Sequence, residues 1–163
     1  TPGRPTKVSL PACATAESPL AIEAKTTMDN VEPVLGDIDV EWHRVAPALE
    51  KLARTSPAFE LLPDEVRTEC QTELAELWVV PEAFLVTRFI VDASTKTRTL
   101  FIWVAATFEG NTLAVGKYLP FFDEVAKHTG CKYIECWSSR LGMERYLAKQ
   151  GFDLFYRSFR KTV

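Results

Sequence analysis

Apolar positions recur at helical spacing over the first predicted helix, at Trp42, Val45, Ala46, Leu49, Leu52 and Ala53. This spacing predicts an amphipathic helix that begins after a cap at Asp39. Pro47 lies inside the stretch and is expected to kink or restart the helix, because proline supplies no backbone N–H. A second helix is predicted to open at Pro63, since proline is favoured in the first helical turn.

The pattern then changes to that of strands. Residues 77–80 form a short apolar run that ends at Pro81. Residues 84–91 and 99–106 are rich in β-branched and aromatic residues, and the short polar segment between them predicts an antiparallel hairpin. Because 99–106 is apolar on both faces, we expect this strand to lie in the interior of the sheet.

Helices and strands alternate in the last third of the chain. A helix with an apolar stripe is predicted to end at Gly130, and another, capped by Ser138 or Ser139, is predicted to close at Gly151. Strands are predicted between and after these helices, over residues 131–137 and 152–160.

The front of the chain has a different character. Residues 1–38 show no sustained period, and five of the ten prolines lie within the first 33 residues. Such a segment is typical of an extended arm that is disordered alone or ordered against a partner. We therefore predict two parts, an N-terminal arm over 1–38 and a folded α/β domain over 39–163.

Charge and composition exclude several classes of function. Residues 41–163 carry 16 basic and 16 acidic side chains, and this neutral body argues against nucleic acid as the main partner. No apolar run reaches the roughly 20 residues of a membrane span, and the first 20 residues lack the apolar core of a signal peptide. The four cysteines form no CxxC motif and there are only two histidines, so no metal site is predicted.

The segment HTGCKYIECWSSRLGMERYLAKQGFDLFYRSFRK resembles the C-terminal half of the Gcn5-related N-acetyltransferase (GNAT) superfamily. The resemblance rests on the helix ending at Gly130, the following strand, and the helix closing on Gly151-Phe152. It covers residues 99–161 well, 39–98 weakly and 1–38 not at all. It implies an α+β fold with a central mixed, mostly antiparallel sheet flanked by helices.

Short motifs make the chain most similar to small GNAT-like proteins encoded by bacteriophages. These motifs are Leu77-Trp78, Gly130-Cys131 and the segment from Arg140 to Arg145. The resemblance therefore also implies a phage origin.

Enzymes of this family hold acyl-CoA with a Q/R-x-x-G-x-G/A loop, whose backbone N–H groups cradle the pyrophosphate at a helix N-terminus. The window from Asn111 to Gly116 matches it only at Gly116, since Asn111 and Ala114 depart from the pattern. The resemblance gives a set of candidate contacts to acetyl-CoA or another acyl-CoA: Asn111, Thr112, Ala114, Gly116 and Lys117. Pro120 either interrupts a helix that starts near Ala114 or begins the helix itself, and both alternatives weaken the cradle.

The family's acid is usually a tyrosine four residues before the glycine of Gly-Phe. Here that position is Leu147, and Tyr146 lies one residue away, about 100° around the helix. Tyr146 is thus either a shifted catalytic acid or a packing residue. Glu135 and Glu109 are candidate general bases, with solvated strand-end charges as the alternative.

Two main functions remain open from the sequence, with a host-directed phage effector as a third possibility. In one, a GNAT-fold protein with a degenerate acyl-CoA site acts in a virion or its assembly, contacting other phage proteins or itself through residues 1–38. This predicts a location in the virion or the host cytoplasm. In the other, the chain is an active acetyl-CoA-dependent N-acyltransferase.

Overall fold

The computed structural model describes residues 31–55, 61–109, 115–138, 142–155 and 161. The elements, in chain order, are β1 (Val34–Leu35), α1 (Ile38–Thr55), α2 (Pro63–Gln71), β2 (Glu76–Val80), β3 (Ala83–Val91), β4 (Arg98–Thr107), a 3-10 turn (Val115–Lys117), α3 (Leu119–His128), β5 (Tyr133–Cys136) and α4 (Met143–Lys149). The helix at Pro63 and the β3–β4 hairpin confirm the sequence-based predictions.

The described strands form one sheet in the order β1-β2-β3-β4-β5. The first three pairings are antiparallel, and β4 pairs with β5 in parallel. The predicted mixed, mostly antiparallel sheet is confirmed. So is the interior position of β4, because β4 has a partner on each side.

Two clusters of buried side chains cover the two faces of this sheet. The first cluster joins α1 and α2 to one face and includes Val45, Leu49, Val66, Phe84 and Val104. The second cluster joins α3 to the other face and includes Trp78, Leu85, Leu100, Ile102 and Phe122. Strands β2, β3 and β4 each contribute to both clusters, because successive side chains point to opposite faces.

Helix α1 differs from its prediction at two positions. Its first turn is capped by Asp37, whose Oδ1 accepts the backbone N–H of Asp39 at 2.8 Å. The predicted cap, Asp39, instead accepts hydrogen bonds from Arg67 and Gln71 of α2. The helix neither stops nor restarts at Pro47. Pro47 is exposed, so water can satisfy the carbonyl that its missing N–H would have bonded.

Glycines end the last two helices as predicted. Gly130 has φ +71° and Gly151 has φ +86°. In both cases the next residue bonds back to the helix, Cys131 N–H to Ala126 at 2.8 Å and Phe152 N–H to Leu147 at 3.0 Å. These are the paired bonds of a Schellman ending, in which glycine takes the left-handed position.

The region around α4 differs from the sequence-based prediction. The predicted cap at Ser138 or Ser139 is wrong, because α4 begins at Met143 after Gly142, whose φ is +86°. The final strand was expected over 152–160. Residues 152–155 form no strand, and 156–160 lie outside the described residues.

Part of the predicted arm lies against the sheet. Val34 and Leu35 pair with Val79 and Trp78 of β2, and the side chain of Ile38 is 4% exposed. Residues 1–30 lie outside the described residues.

Candidate functional site

A β-bulge interrupts β4 at Trp103. Val104 pairs with Val86 and Ile102 pairs with Thr87, so Trp103 has no partner of its own on β3. Trp103 and Val104 both pack on the first cluster, although neighbours in a regular strand face opposite sides. Bulges of this kind often lie beside active sites, where they redirect side chains and end a pairing.

The pairing of β4 with β5 ends next to this bulge. The last pair is Ile102 with Cys136, whereas β4 continues alongside β3 to Thr107. Beyond Ile102, no strand in the described part of the chain pairs with β4 on the β5 side. Among the described residues, this edge of residues 103–106, about 13 Å long, is not paired with another strand.

An ion pair and an aromatic ring meet on the first-cluster side of the bulge. Nη2 of Arg88 lies 2.5 Å from Oε1 of Glu69 on α2. The same guanidinium lies 3.2 Å from the centroid of the Trp103 ring. Burial raises the pKa of the neighbouring Cys70 thiol to about 11, and the Glu69 carboxylate adds to this effect. Cys70 is therefore a neutral thiol and not a nucleophile at neutral pH.

Glu135 lies on the same side of the sheet. It pairs with Phe101, while its neighbours Ile134 and Cys136 pair with Leu100 and Ile102. Those four residues belong to the second cluster or pack against it, so Glu135 faces the opposite side. Its side chain is half-buried. The other candidate base, Glu109, is exposed just beyond the end of β4.

The 3-10 turn contacts α4 through Gly116. The backbone N–H of Gly116 donates to the hydroxyl of Tyr146 at 2.8 Å. A Cβ on Gly116 would meet the end of the Gln150 side chain and would lie 3.0 Å from the Tyr146 hydroxyl oxygen. A larger residue here would therefore require the Gln150 side chain to move aside.

Lys117, a candidate phosphate contact, is paired within the protein. Its Nζ lies 3.2 Å from Oε1 of Glu82, in the turn between β2 and β3. The hydroxyl of Tyr118 donates to the same oxygen. This hydrogen bond, with the nearby ammonium, lowers the pKa of Glu82, and burial raises the pKa of Tyr118.

Pro120 lies in the first turn of α3, which begins at Leu119. Of the two alternatives left open by the sequence, the structure therefore selects a helix that begins next to the proline. A proline there loses no helical hydrogen bond, because the first N–H groups have no partner within the helix.

The structure brings together only part of the predicted site. It joins Gly116 to Tyr146 and separates Glu135 from Glu109, while Asn111, Thr112 and Ala114 lie outside the described residues. Sequence reasoning missed Trp103, Arg88 and Glu82. The bulge at Trp103 depends on pairing register, which no local pattern indicates. Arg88 could have been noticed as a lone charge in an apolar strand.

The described segments contain neither a candidate metal site nor a candidate membrane span. No three His, Cys, Asp or Glu side chains there lie close enough together to hold a metal ion. None of the helices described is both long and apolar enough to cross a membrane.

No protein-family profile matches the chain, and no curated protein matches it by sequence. Solved structures match its fold. The tetramutant of the BH1408 protein from Bacillus halodurans superposes with a TM-score of 0.63 at 11% identity, covering 82% of this chain and 100% of that one. The ribosomal-protein-alanine N-acetyltransferase of Brucella melitensis biovar Abortus 2308 gives 0.58 at 16% identity, covering 82% and 100%.

An acetyltransferase from Trypanosoma brucei gives a TM-score of 0.56 at 12% identity, covering 81% of this chain and 99% of that one. At such identities the likeness shows the fold alone. The fold is that of the GNAT acetyltransferases, as the sequence resemblance implied.

Proposed function

We propose that this chain is an acyl-CoA-dependent N-acyltransferase. The observation that carries the proposal is the separation of β4 from β5 after the Ile102–Cys136 pair, directly beside the bulge at Trp103. A ligand with an extended amide chain can hydrogen-bond to such a strand edge as an added strand would. Two of the three neighbours reported above are acetyltransferases, and an active member implies acetyl-CoA as the acyl donor.

The proposed chemistry is divided among the β4 backbone, Glu135 and Tyr146. When bound, acyl-CoA would supply a thioester for attack by an amine. Backbone N–H groups of β4 would hold the amide arm and polarise the acyl carbonyl. Glu135 would accept the proton of the attacking amine. Tyr146 would donate its hydroxyl proton to the departing sulfur, because its oxygen already accepts the Gly116 N–H.

The experiment combines binding with turnover. Acetyl-CoA at millimolar concentration should raise the melting temperature, because a ligand of the folded state stabilises it by mass action. Thiol release in the presence of an alkylamine should then follow, and Glu135→Gln should lower kcat by about 10²–10⁴-fold. Glu65→Gln, an exposed glutamate on α2, is the matched control. Absence of any thermal shift with acetyl-CoA contradicts the proposal.

A second candidate function is a phage virion or assembly protein that has kept the fold and lost acyl transfer. Two contacts favour it, because the Gly116 N–H is taken by Tyr146 and the Lys117 ammonium by Glu82. Donors with internal partners attract phosphate less well. In addition, Leu147 occupies the position where the family usually has its tyrosine.

Two variants separate the candidates. Tyr146→Phe frees the Gly116 N–H, so a real anion site should then show a larger thermal shift with inorganic pyrophosphate. For the assembly role, removing residues 1–30 retains β1 and Ile38 and should abolish self-association or incorporation into phage particles, measured by sedimentation. Normal incorporation of the shortened chain would contradict the assembly role.

A further inference from the structure

We propose that Glu135 and the aromatic pair Phe101–Trp137 form a binding face for an alkylammonium group, which in the acyl acceptor is the ammonium form of a primary amine. We call these three residues the cation face. The inference deepens the proposed function, on which its interpretation as the acceptor site rests. The carboxylate and the aromatic rings would select an acceptor that carries a positive charge. Acyl transfer alone requires only an amine and does not specify this charge.

The register of β4 and β5 places the three side chains together. Glu135 pairs directly with Phe101, in a parallel register that points both side chains to the same side. The rings of Phe101 and Trp137 lie 4.9 Å apart between centroids, tilted by 59°. A carboxylate therefore lies beside an aromatic pair where β5 ends and β4 continues.

The two rings differ in their exposure to solvent. Phe101 is 3% exposed, whereas Trp137 is 57% exposed. The buried ring supports the indole from one side and leaves much of the indole surface in contact with water. Tryptophan is the best aromatic partner for a cation, because its ring face carries a negative electrostatic potential.

The charges around this face favour a positive ligand. In the described part of the chain, no hydrogen bond or ion pair engages the Glu135 carboxylate. Two basic side chains on or beside these strands contact other groups. Arg88 is paired with Glu69, and Lys132 lies 5.1 Å from the Tyr133 ring. The carboxylate thus keeps its charge available for an incoming ammonium group.

The protein uses the same chemistry internally on this side of the sheet. The Arg88 guanidinium lies 3.2 Å from the centroid of the Trp103 ring, beside the Glu69 carboxylate. That arrangement also consists of a cation, a tryptophan and a glutamate. The cation face has the tryptophan and the glutamate, and an external ammonium would complete it.

The test uses two probes of the same shape. Choline carries a quaternary ammonium, and 3,3-dimethylbutan-1-ol is its neutral carbon isostere. Binding to the full chain is measured by isothermal titration calorimetry without acetyl-CoA. We expect choline to bind more tightly than the alcohol, by about fivefold from a carboxylate at about 4 Å in water and by a further two- to fivefold from the indole ring. Glu135→Gln should remove the share of this preference that the carboxylate supplies and leave the share of the indole.

Trp137→Leu keeps an apolar side chain and removes the aromatic face. It should weaken choline binding by about two- to fivefold and leave the alcohol nearly unchanged. Glu65→Gln is the control and should change neither affinity. Because Trp137 is mostly exposed, its replacement should leave the fold intact, which circular dichroism checks.

Equal affinities for the two probes, or a choline preference that survives both substitutions, would overturn the proposal. The outcomes for acyl transfer are separate. If choline binds as expected but acetyl-CoA gives no thiol release with any amine, the cation face stands and the acyltransferase proposal fails. If thiol release occurs and choline neither binds nor competes with the amine, the acyltransferase stands and the cation face fails.

Discussion

Trp78 carries a polar group deep inside the second cluster. Its indole N–H donates to the hydroxyl of Thr87 at 2.9 Å, and the two side chains are 3% and 0% exposed. The indole also makes edge-to-face contacts with Phe121 and Phe122. No water reaches this position easily, so the threonine hydroxyl is what makes a buried tryptophan N–H tolerable.

Thr87→Val should therefore destabilise the protein although it preserves the shape of the side chain. The variant leaves the Trp78 N–H without an acceptor, and the expected loss in the free energy of unfolding is about 1–3 kcal/mol. Urea denaturation measures it. Thr87→Ser, which keeps the hydroxyl, serves as the control, and a valine variant at least as stable as the serine variant would contradict this account.

Glu82 makes the free energy of unfolding depend on pH in both the acidic and the alkaline range. Its pKa is lowered, chiefly by the hydrogen bond from Tyr118, so the folded state favours the ionised carboxylate. That stabilisation is present above the ordinary value of 4.5 and is lost as pH falls through the lower folded pKa. The pKa values of Tyr118, by burial, and of Lys117, by its hydrogen bonds, are raised. The protonated forms of Tyr118 and Lys117 therefore stabilise the folded state below pH 10.0 and 10.5, their ordinary pKa values. This stabilisation is lost as the pH rises through the higher pKa values of the folded state.

We expect Glu82→Gln to flatten the decline in the free energy of unfolding below pH 4.5 and to reduce the decline above pH 10. Denaturation in urea at a series of pH values measures both declines. Glu65→Gln should leave both unchanged. If the decline at acidic pH is the same in Glu82→Gln as in the original protein, the Glu82 carboxylate is not the group that causes it.

The β3–β4 hairpin shows how an element can form with a strained residue in its loop. Asp92 closes the loop by accepting the backbone N–H groups of Ser94 and Thr95, at 2.9 and 2.7 Å. The chain then passes through Lys96, which has φ +58°. A side chain in this left-handed region costs about 1–2 kcal/mol relative to the right-handed one.

Lys96→Gly should stabilise the hairpin. Relief of the left-handed strain outweighs the greater freedom that glycine gives the unfolded chain, for a net gain of about 0.5–1 kcal/mol. The melting temperature should rise accordingly. Lys96→Ala removes the same charge but keeps the strained left-handed backbone, so its melting temperature should not rise. Equal melting temperatures of the two variants would show that the change comes from the lost charge.

Over the whole unit from Glu32 onward, the sheet separates two cores that share no side chain. Val45 belongs to the first cluster and Phe122 to the second, and both are 0% exposed. Strands β2, β3 and β4 contribute side chains to both. Each core therefore contributes to the same cooperative unfolding through separate contacts.

Val45→Ala and Phe122→Leu should each destabilise by about 1–3 kcal/mol, because each removes buried carbon atoms from a packed site. Their effects should add in the double variant to within about 0.5 kcal/mol, since the sites share no partner. Urea unfolding of the four proteins completes the cycle. A coupling energy above about 1 kcal/mol would contradict this expectation and show that packing in one core affects packing in the other.

Local signals accounted for the elements that the sequence predicted correctly. Pro63 sets the start of α2, Gly130 and Gly151 end α3 and α4, and the apolar runs of β3 and β4 form a hairpin. In each case the deciding interaction lies within a few residues, in a fixed φ, a cap or an alternation. The cap of α1 and the start of α4 were wrong because several nearby residues can cap a helix, and packing chooses among them.

The sequence by itself therefore determined helices α1 to α4 and strands β2 to β5 in their order, because these follow from local periodicity and turn signals. Its resemblance to the GNAT superfamily implied the mixed sheet and the fold. Only the tertiary structure decided the site. The bulge at Trp103, the Gly116–Tyr146 contact across 30 residues and the pairing of Glu135 with Phe101 each join distant parts of the chain. Such contacts depend on strand register and on the approach of packed elements, and neither is encoded within a single segment.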